Sequence, residues 1–150
     1  MYATALPFAS PAVRLALGGL YQQVRVESKV AAATPHELVA MLFEGYMEAL
    51  AQARGAMRER KLEAKGTAIG RAVRILEEGL RAGLDLRAGG ALARDLDDLY
   101  AYLSMRLTLA NLRNDEAALD ECQRLMRPLH EAWLAIADEA ADSHAAAPRR

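Results

Sequence analysis

The sequence predicts an all-α protein: an antiparallel up-down four-helix bundle preceded by a mobile, partly helical N-terminal segment. Three observations carry that expectation. Alanine, leucine, arginine and glutamate dominate while β-branched residues are scarce, a composition that favours helices over strands. Apolar side chains recur every three or four positions through four stretches of roughly two dozen residues each, the period of a helix with one buried face. A proline-led cap at Thr34-Pro35 and a glycine pair at Gly89-Gly90 punctuate these stretches. Long helices joined by short connections pack as antiparallel neighbours.

The elements follow in order. Residues 1–33 form a head in which Pro7 and Pro11 oppose helix. Leu17, Leu20, Tyr21 and Val24 then recur at helical spacing, although Gly18 and Gly19 weaken the pattern. The bundle proper is expected over 34–138. Thr34-Pro35-His36-Glu37 has the form of a capping box: a hydroxyl at the N-cap, proline at the first helical position and glutamate at the third. The helix it opens should reach about Arg60, with Leu38, Leu42, Tyr46, Ala49, Ala53 and Ala56 inward. A second should run from Leu62 to Leu86 on Ile69, Val73, Leu76, Leu80 and Leu84, ended by the glycine pair. The third should span Ala91 to Arg113 with Leu92, Leu96, Leu99, Leu103, Leu107 and Ala110 inward. Asn114 or Asp115 caps the fourth, whose core face is Leu119, Cys122, Met126, Leu129, Trp133 and Ile136. Pro128 falls inside that helix and should bend it near Arg124. Residues 139–150 read as a disordered tail.

Composition narrows the function. A chain of 150 residues, 53% of them hydrophobic, has the size and apolar content of one well-packed domain. A net charge of −1, with acids interleaved among the bases of Arg54–Lys65, argues against a nucleic-acid partner. The lone Cys122 excludes an internal disulfide and fits a reducing compartment. No secretory leader or membrane-spanning run is visible, so a cytoplasmic location is expected.

Catalytic patterns are missing. Di-iron bundles need Glu-x-x-His pairs, but Ala33, Arg127 and Ala141 stand three positions before His36, His130 and His144. There is no Cys-x-x-Cys, no His-Glu-x-x-His and no glycine-rich phosphate cradle after a strand. Asp97 and Asp98 diverge by about 100° on a helix, so with Asp95 they read as a solvated acidic turn. Neither an enzymatic activity nor a metal or other cofactor is expected. His130 is the one candidate for phosphotransfer, against a plainer place at the core's border beside Trp133.

One feature exceeds what a core requires. Opposite its inward stripe, the third helix carries Tyr102, Met105, Leu109 and Leu112, a continuous apolar strip where solvent exposure calls for polar residues. Two readings stand. The head covers the strip permanently, or the strip is a groove for a partner helix gripped at i, i+3 and i+7. Met41 and Met47 flank the core arc of the first helix and could add to such a surface.

An ordered set of segments resembles the flagellar export chaperone family FliS. It begins with Tyr21-Gln22-Gln23-Val24 and the run from Thr34 to Gly45. Gly89-Gly90, Leu99-Tyr100-Ala101-Tyr102-Leu103, Ala110-Asn111, Asp115 and Glu131-Ala132-Trp133 follow in the same order. Departures are Phe43 in place of the usual tyrosine, the bulky Tyr46 and the helix-internal Pro128. The resemblance implies a bundle that binds the disordered C-terminal segment of flagellin, prevents premature polymerisation and delivers it to the flagellar type III export gate. It further implies that Tyr21 and Val24 cap the binding surface and dock at the gate. Rival readings are a homodimeric adaptor whose strip pairs with itself, and the His130 phosphotransfer bundle.

Overall fold

The computed structural model describes the backbone of residues 32–146 and the side chains of residues 32–136. Four long helices account for nearly all of it: α1 (Pro35–Arg58), α2 (Leu62–Arg74), α3 (Gly90–Arg113) and α4 (Glu116–Ala146). α1 packs on α2 and α4, and α3 packs on the same two, so the helices stand at the corners of a square with α1 diagonal to α3. Polar contacts fix their directions. His36 meets Trp133 at one end of the α1–α4 pair and Arg58 meets Glu116 at the other. Lys65 meets Asn111 and Arg81 meets Asp97 along the second helix and α3. Both pairs are antiparallel, which is the up-down bundle that the sequence predicts.

The termini follow local chemistry. The Thr34 hydroxyl accepts the Glu37 N–H at 3.1 Å, and Pro35 opens α1. α1 ends with Arg60 in a left-handed conformation, φ 58°, and the Lys61 N–H returning to the Ala56 carbonyl at 2.9 Å. Gly90 also has a positive φ of 58°. At Gly89 a Cβ would stand 2.5 Å from that of Ala93 and 2.7 Å from the Asp85 carbonyl oxygen. Both glycines are therefore required by the turn. Asn114 closes α3 in the left-handed conformation, and Asp115 caps α4 by accepting the Ala118 N–H at 3.2 Å. The aspartate thus takes the capping role that the sequence left open between two residues.

Three inward faces differ from expectation. α2 stays α-helical only to Arg74 and continues as a π-helical stretch, Ile75–Arg81. In that stretch Ile75 and Leu76 are both buried, as are Gly79 and Leu80. Val73 and Leu84 only border the core. On α3 the buried stripe is Ala93, Tyr100, Leu103, Leu107 and Ala110. Counting back from Leu107 by three or four reaches Tyr100 and Ala93, which rotates Leu92 outward to 64% exposure and leaves Leu96 and Leu99 at the border. On α4, Leu119, Cys122, Met126 and Trp133 are buried as expected, Leu129 borders the core and Ile136 is exposed near the end of the bundle. α4 runs through Pro128 as one helix, and its backbone is helical past position 138.

The core joins the inward faces of all four helices. Leu42, Leu76, Leu80, Leu103, Leu107 and Leu119 are fully buried, each contributing about 1.5–3 kcal/mol on removal from water. Lys65 is also buried; its ammonium donates to the Asn111 carbonyl at 2.9 Å and to the Asn114 side chain, placing a cation at the negative end of α3.

Two glycines test the packing in opposite directions. Gly70 lies in α2 with open space around a Cβ; Gly70→Ala should raise stability by about 0.5–1 kcal/mol through chain entropy. At Gly79 a Cβ would meet the buried Leu42 methyls at 2.9 and 3.0 Å, so Gly79→Leu should cost about 1–3 kcal/mol by overpacking. Urea midpoints of the two variants should move to opposite sides of the parent's.

Candidate partner-binding flank

The square arrangement decides which apolar residues stay uncovered. α3 touches α2 on one side and α4 on the other, and among the described residues no helix packs on its outer surface. Tyr102, Met105 and Leu112 are exposed there, at 38%, 50% and 76%, and Leu109 is half-buried between them. The four residues expected on α3 therefore form one strip. Met41 and Met47 do not join it. Both pack against the core from α1, diagonally across the bundle, and Met41 lines a separate open depression with Ala32, Ala33, Glu37, Ala40 and Glu44. Tyr21 and Val24 lie outside the described residues.

The strip is wider than sequence reasoning found. At the α3–α4 seam, the Tyr102 hydroxyl donates to Glu121 Oε2 at 2.7 Å, and Arg106 Nε donates to Glu121 Oε1 at 2.6 Å. The Tyr102 bond first, and the Arg106 bond second, hold the Glu121 carboxyl below the usual carboxylate range. Those interactions raise the Tyr102 phenol and the Arg106 guanidinium in turn. Leu125, exposed on α4, follows Glu121 by one turn and carries the apolar surface across the seam. Leu92 and Ile136 add exposed apolar surface on the same two helices. The signal for Leu125 was present as an apolar residue adjacent to the inward Met126, but nothing local says that such a neighbour is exposed.

The other side of α4 is riveted to α1. Arg54 binds Asp120 and Gln123, Arg58 binds Glu116 at 2.9 Å, and the Tyr46 hydroxyl donates to the Cys122 carbonyl at 3.2 Å inside the core. Burial pushes the Tyr46 phenol well above its ordinary range. At the far end, His36 stacks on Trp133 with centroids 4.2 Å apart, its Nε2 donating to the Trp133 carbonyl while the indole N–H donates to the His36 carbonyl, each at 3.0 Å. His36 is thus more than a first-turn neighbour of the cap. His130 stacks on Phe43 at 5.6 Å with its Nε2 buried, an arrangement that suits a core border and offers no open nitrogen at Nε2 for phosphotransfer.

Among the described residues, no cluster of three or more His, Cys, Asp or Glu is placed to hold a metal ion. No described helix is long and apolar enough to cross a membrane.

Fold and flank together define a small up-down helical bundle with a broad apolar surface left on one side. Comparison with known proteins places it more closely. The model of the family "Flagellar protein FliS" matches residues 18–140, a span that includes Tyr21 and Val24. The chain is 45% identical over 120 residues to the flagellar secretion chaperone FliS of Salmonella typhimurium, covering 80% of this chain and 89% of that one. It is 46% identical over 113 residues to the flagellar secretion chaperone FliSB of Pseudomonas aeruginosa, covering 75% and 89%. The FliS of Bacillus subtilis is 30% identical over 125 residues, covering 83% and 89%. The chain belongs to the FliS family.

The buried thiol gives a check on the core beneath the flank. Burial first, with the Glu121 charge second, pushes Cys122 up to about 11 from 9.0. A raised folded value means that the thiol's contribution is fully present below pH 9.0 and is lost as pH rises towards about 11. The native chain should therefore resist thiol labelling at pH 8 and react once urea unfolds it. Its urea midpoint should fall between pH 9 and 11, less steeply in Cys122→Ala. Rapid labelling of the native chain would contradict this burial.

Proposed function

We propose that this chain is a cytoplasmic flagellar export chaperone that binds the disordered C-terminal region of flagellin. Binding keeps flagellin from polymerising early and assists its delivery to the flagellar type III export apparatus. The observation that carries the reading is the uncovered strip Tyr102, Met105, Leu109 and Leu112 on a chain of the FliS family, whose relatives are named flagellar secretion chaperones.

The physical mechanism is folding coupled to binding. A disordered client loses conformational entropy when it orders, and a broad apolar surface is required to offset that loss. Amphipathic tyrosine and adaptable methionine suit a segment that becomes helical on contact. In this reading Met41 and Met47 supply further contacts as the client wraps around the bundle, and Tyr21 and Val24 serve export-gate docking and cap the surface before the client arrives.

Isothermal titration with a C-terminal flagellin peptide tests the assignment. Tyr102→Ala and Leu109→Asp should each weaken binding by about tenfold or more, corresponding to about 1.4 kcal/mol or more, with far-ultraviolet circular dichroism unchanged. Unchanged affinity in both variants would sink the groove. Sedimentation separates the homodimer reading: the client should yield a one-to-one heterocomplex, whereas a self-paired strip would leave a dimer that excludes it.

A further inference from the structure

Within the exposed apolar strip, Tyr102 and Arg106 both bind Glu121 and form a polar triad at the α3–α4 seam. Isolated surface ion pairs contribute little, because two long side chains are ordered for a screened attraction. This one differs in geometry. Both oxygens of Glu121 are engaged, one by the Tyr102 hydroxyl at 2.7 Å and the other by Arg106 Nε at 2.6 Å. The Arg106 and Glu121 side chains are half-buried, at 26% and 27% exposure. Tyr102 remains exposed along the strip. The triad therefore fixes the tip of the ring and leaves the ring itself available.

We infer that Glu121, braced by Arg106, is a positioning residue for recognition of the helical client: it holds the Tyr102 ring across the α3–α4 seam as a preformed anchor. The inference rests on the flagellin reading above. The strip continues on both sides of the ring, through Met105 and Leu112 on α3 and through Leu125 on α4. A ring free to rotate would have to be ordered by each arriving client, which lowers affinity; a ring already held has lost that freedom beforehand. The carboxylate stays charged through neutral pH, since both of its partners favour the ionised form. The rivets of α4 towards α1, through Asp120 and Glu116, lie on its other side and leave this seam to the triad.

The test is titration of the full chain with a C-terminal flagellin peptide. Glu121→Ala and Tyr102→Phe should each weaken binding about three- to tenfold, the scale of immobilising one side chain. Glu121→Gln keeps one oxygen to accept from the phenol but sets its amide N–H against the Arg106 Nε–H, so it should recover only part of the affinity lost in Glu121→Ala. The double variant Tyr102→Phe/Glu121→Ala should bind no more weakly than Glu121→Ala alone, because both changes break one hydrogen bond. Parental affinity in Glu121→Ala, or additive losses in the double variant, would overturn the positioning role. A parent chain that does not bind the peptide would instead overturn the functional reading beneath it, and the role of Glu121 with it. Urea midpoints measured alongside separate a lost anchor from a loosened bundle.

Discussion

A helix at the corner of a square bundle has two neighbours and can bury one arc of its surface. α3 carries apolar side chains on more than that arc. Its inward stripe, Ala93 through Ala110, fills the core; its outer set, Tyr102 through Leu112, stays uncovered because α1 stands diagonally opposite and nothing described lies outside. The same geometry removes Met41 and Met47 from the strip, since any surface they form lies on α1. The candidate site follows from this imbalance between one helix and the number of its neighbours.

The rest of the bundle keeps that flank in shape. α4 forms half of the seam, and α1 holds it at three levels: Arg58 to Glu116, Tyr46 to the Cys122 carbonyl, and the His36–Trp133 stack. Two of these use backbone carbonyls of α4, so they fix its register against α1 as well as its distance. The π-helical stretch of α2 supports the core from the other side, turning Ile75, Leu76, Gly79 and Leu80 inward together. A client that folds on contact needs a surface that does not itself have to be ordered, and this network supplies one.

Much of this was legible in the sequence, and the misses have physical causes. The capping residue Thr34, the glycine pair and the four-helix order are local signals and were readable. The strip was readable because four apolar residues on an outer face violate helix patterning. Leu92 and Ile136 were placed inward because a period of 3.6 residues admits two neighbouring stripes near a helix end, and only packing chooses between them. Ile75 was missed because it adjoins the inward Leu76, and only packing shows that both neighbours face the core. The Tyr102–Glu121–Arg106 triad joins residues on two helices, and its ladder register is set by tertiary packing. The His36–Trp133 pairing spans nearly the whole bundle in sequence, and a capping neighbourhood concealed it.

The central claim is that the outer face of α3 receives the C-terminal segment of flagellin. The most direct measurement places a photoactivatable cross-linking residue at Met105, irradiates the full chain with intact flagellin and maps the adduct by mass spectrometry. The account predicts an adduct to the C-terminal segment of flagellin. An adduct confined to another region of flagellin, or none while the two proteins still form a complex, would contradict it.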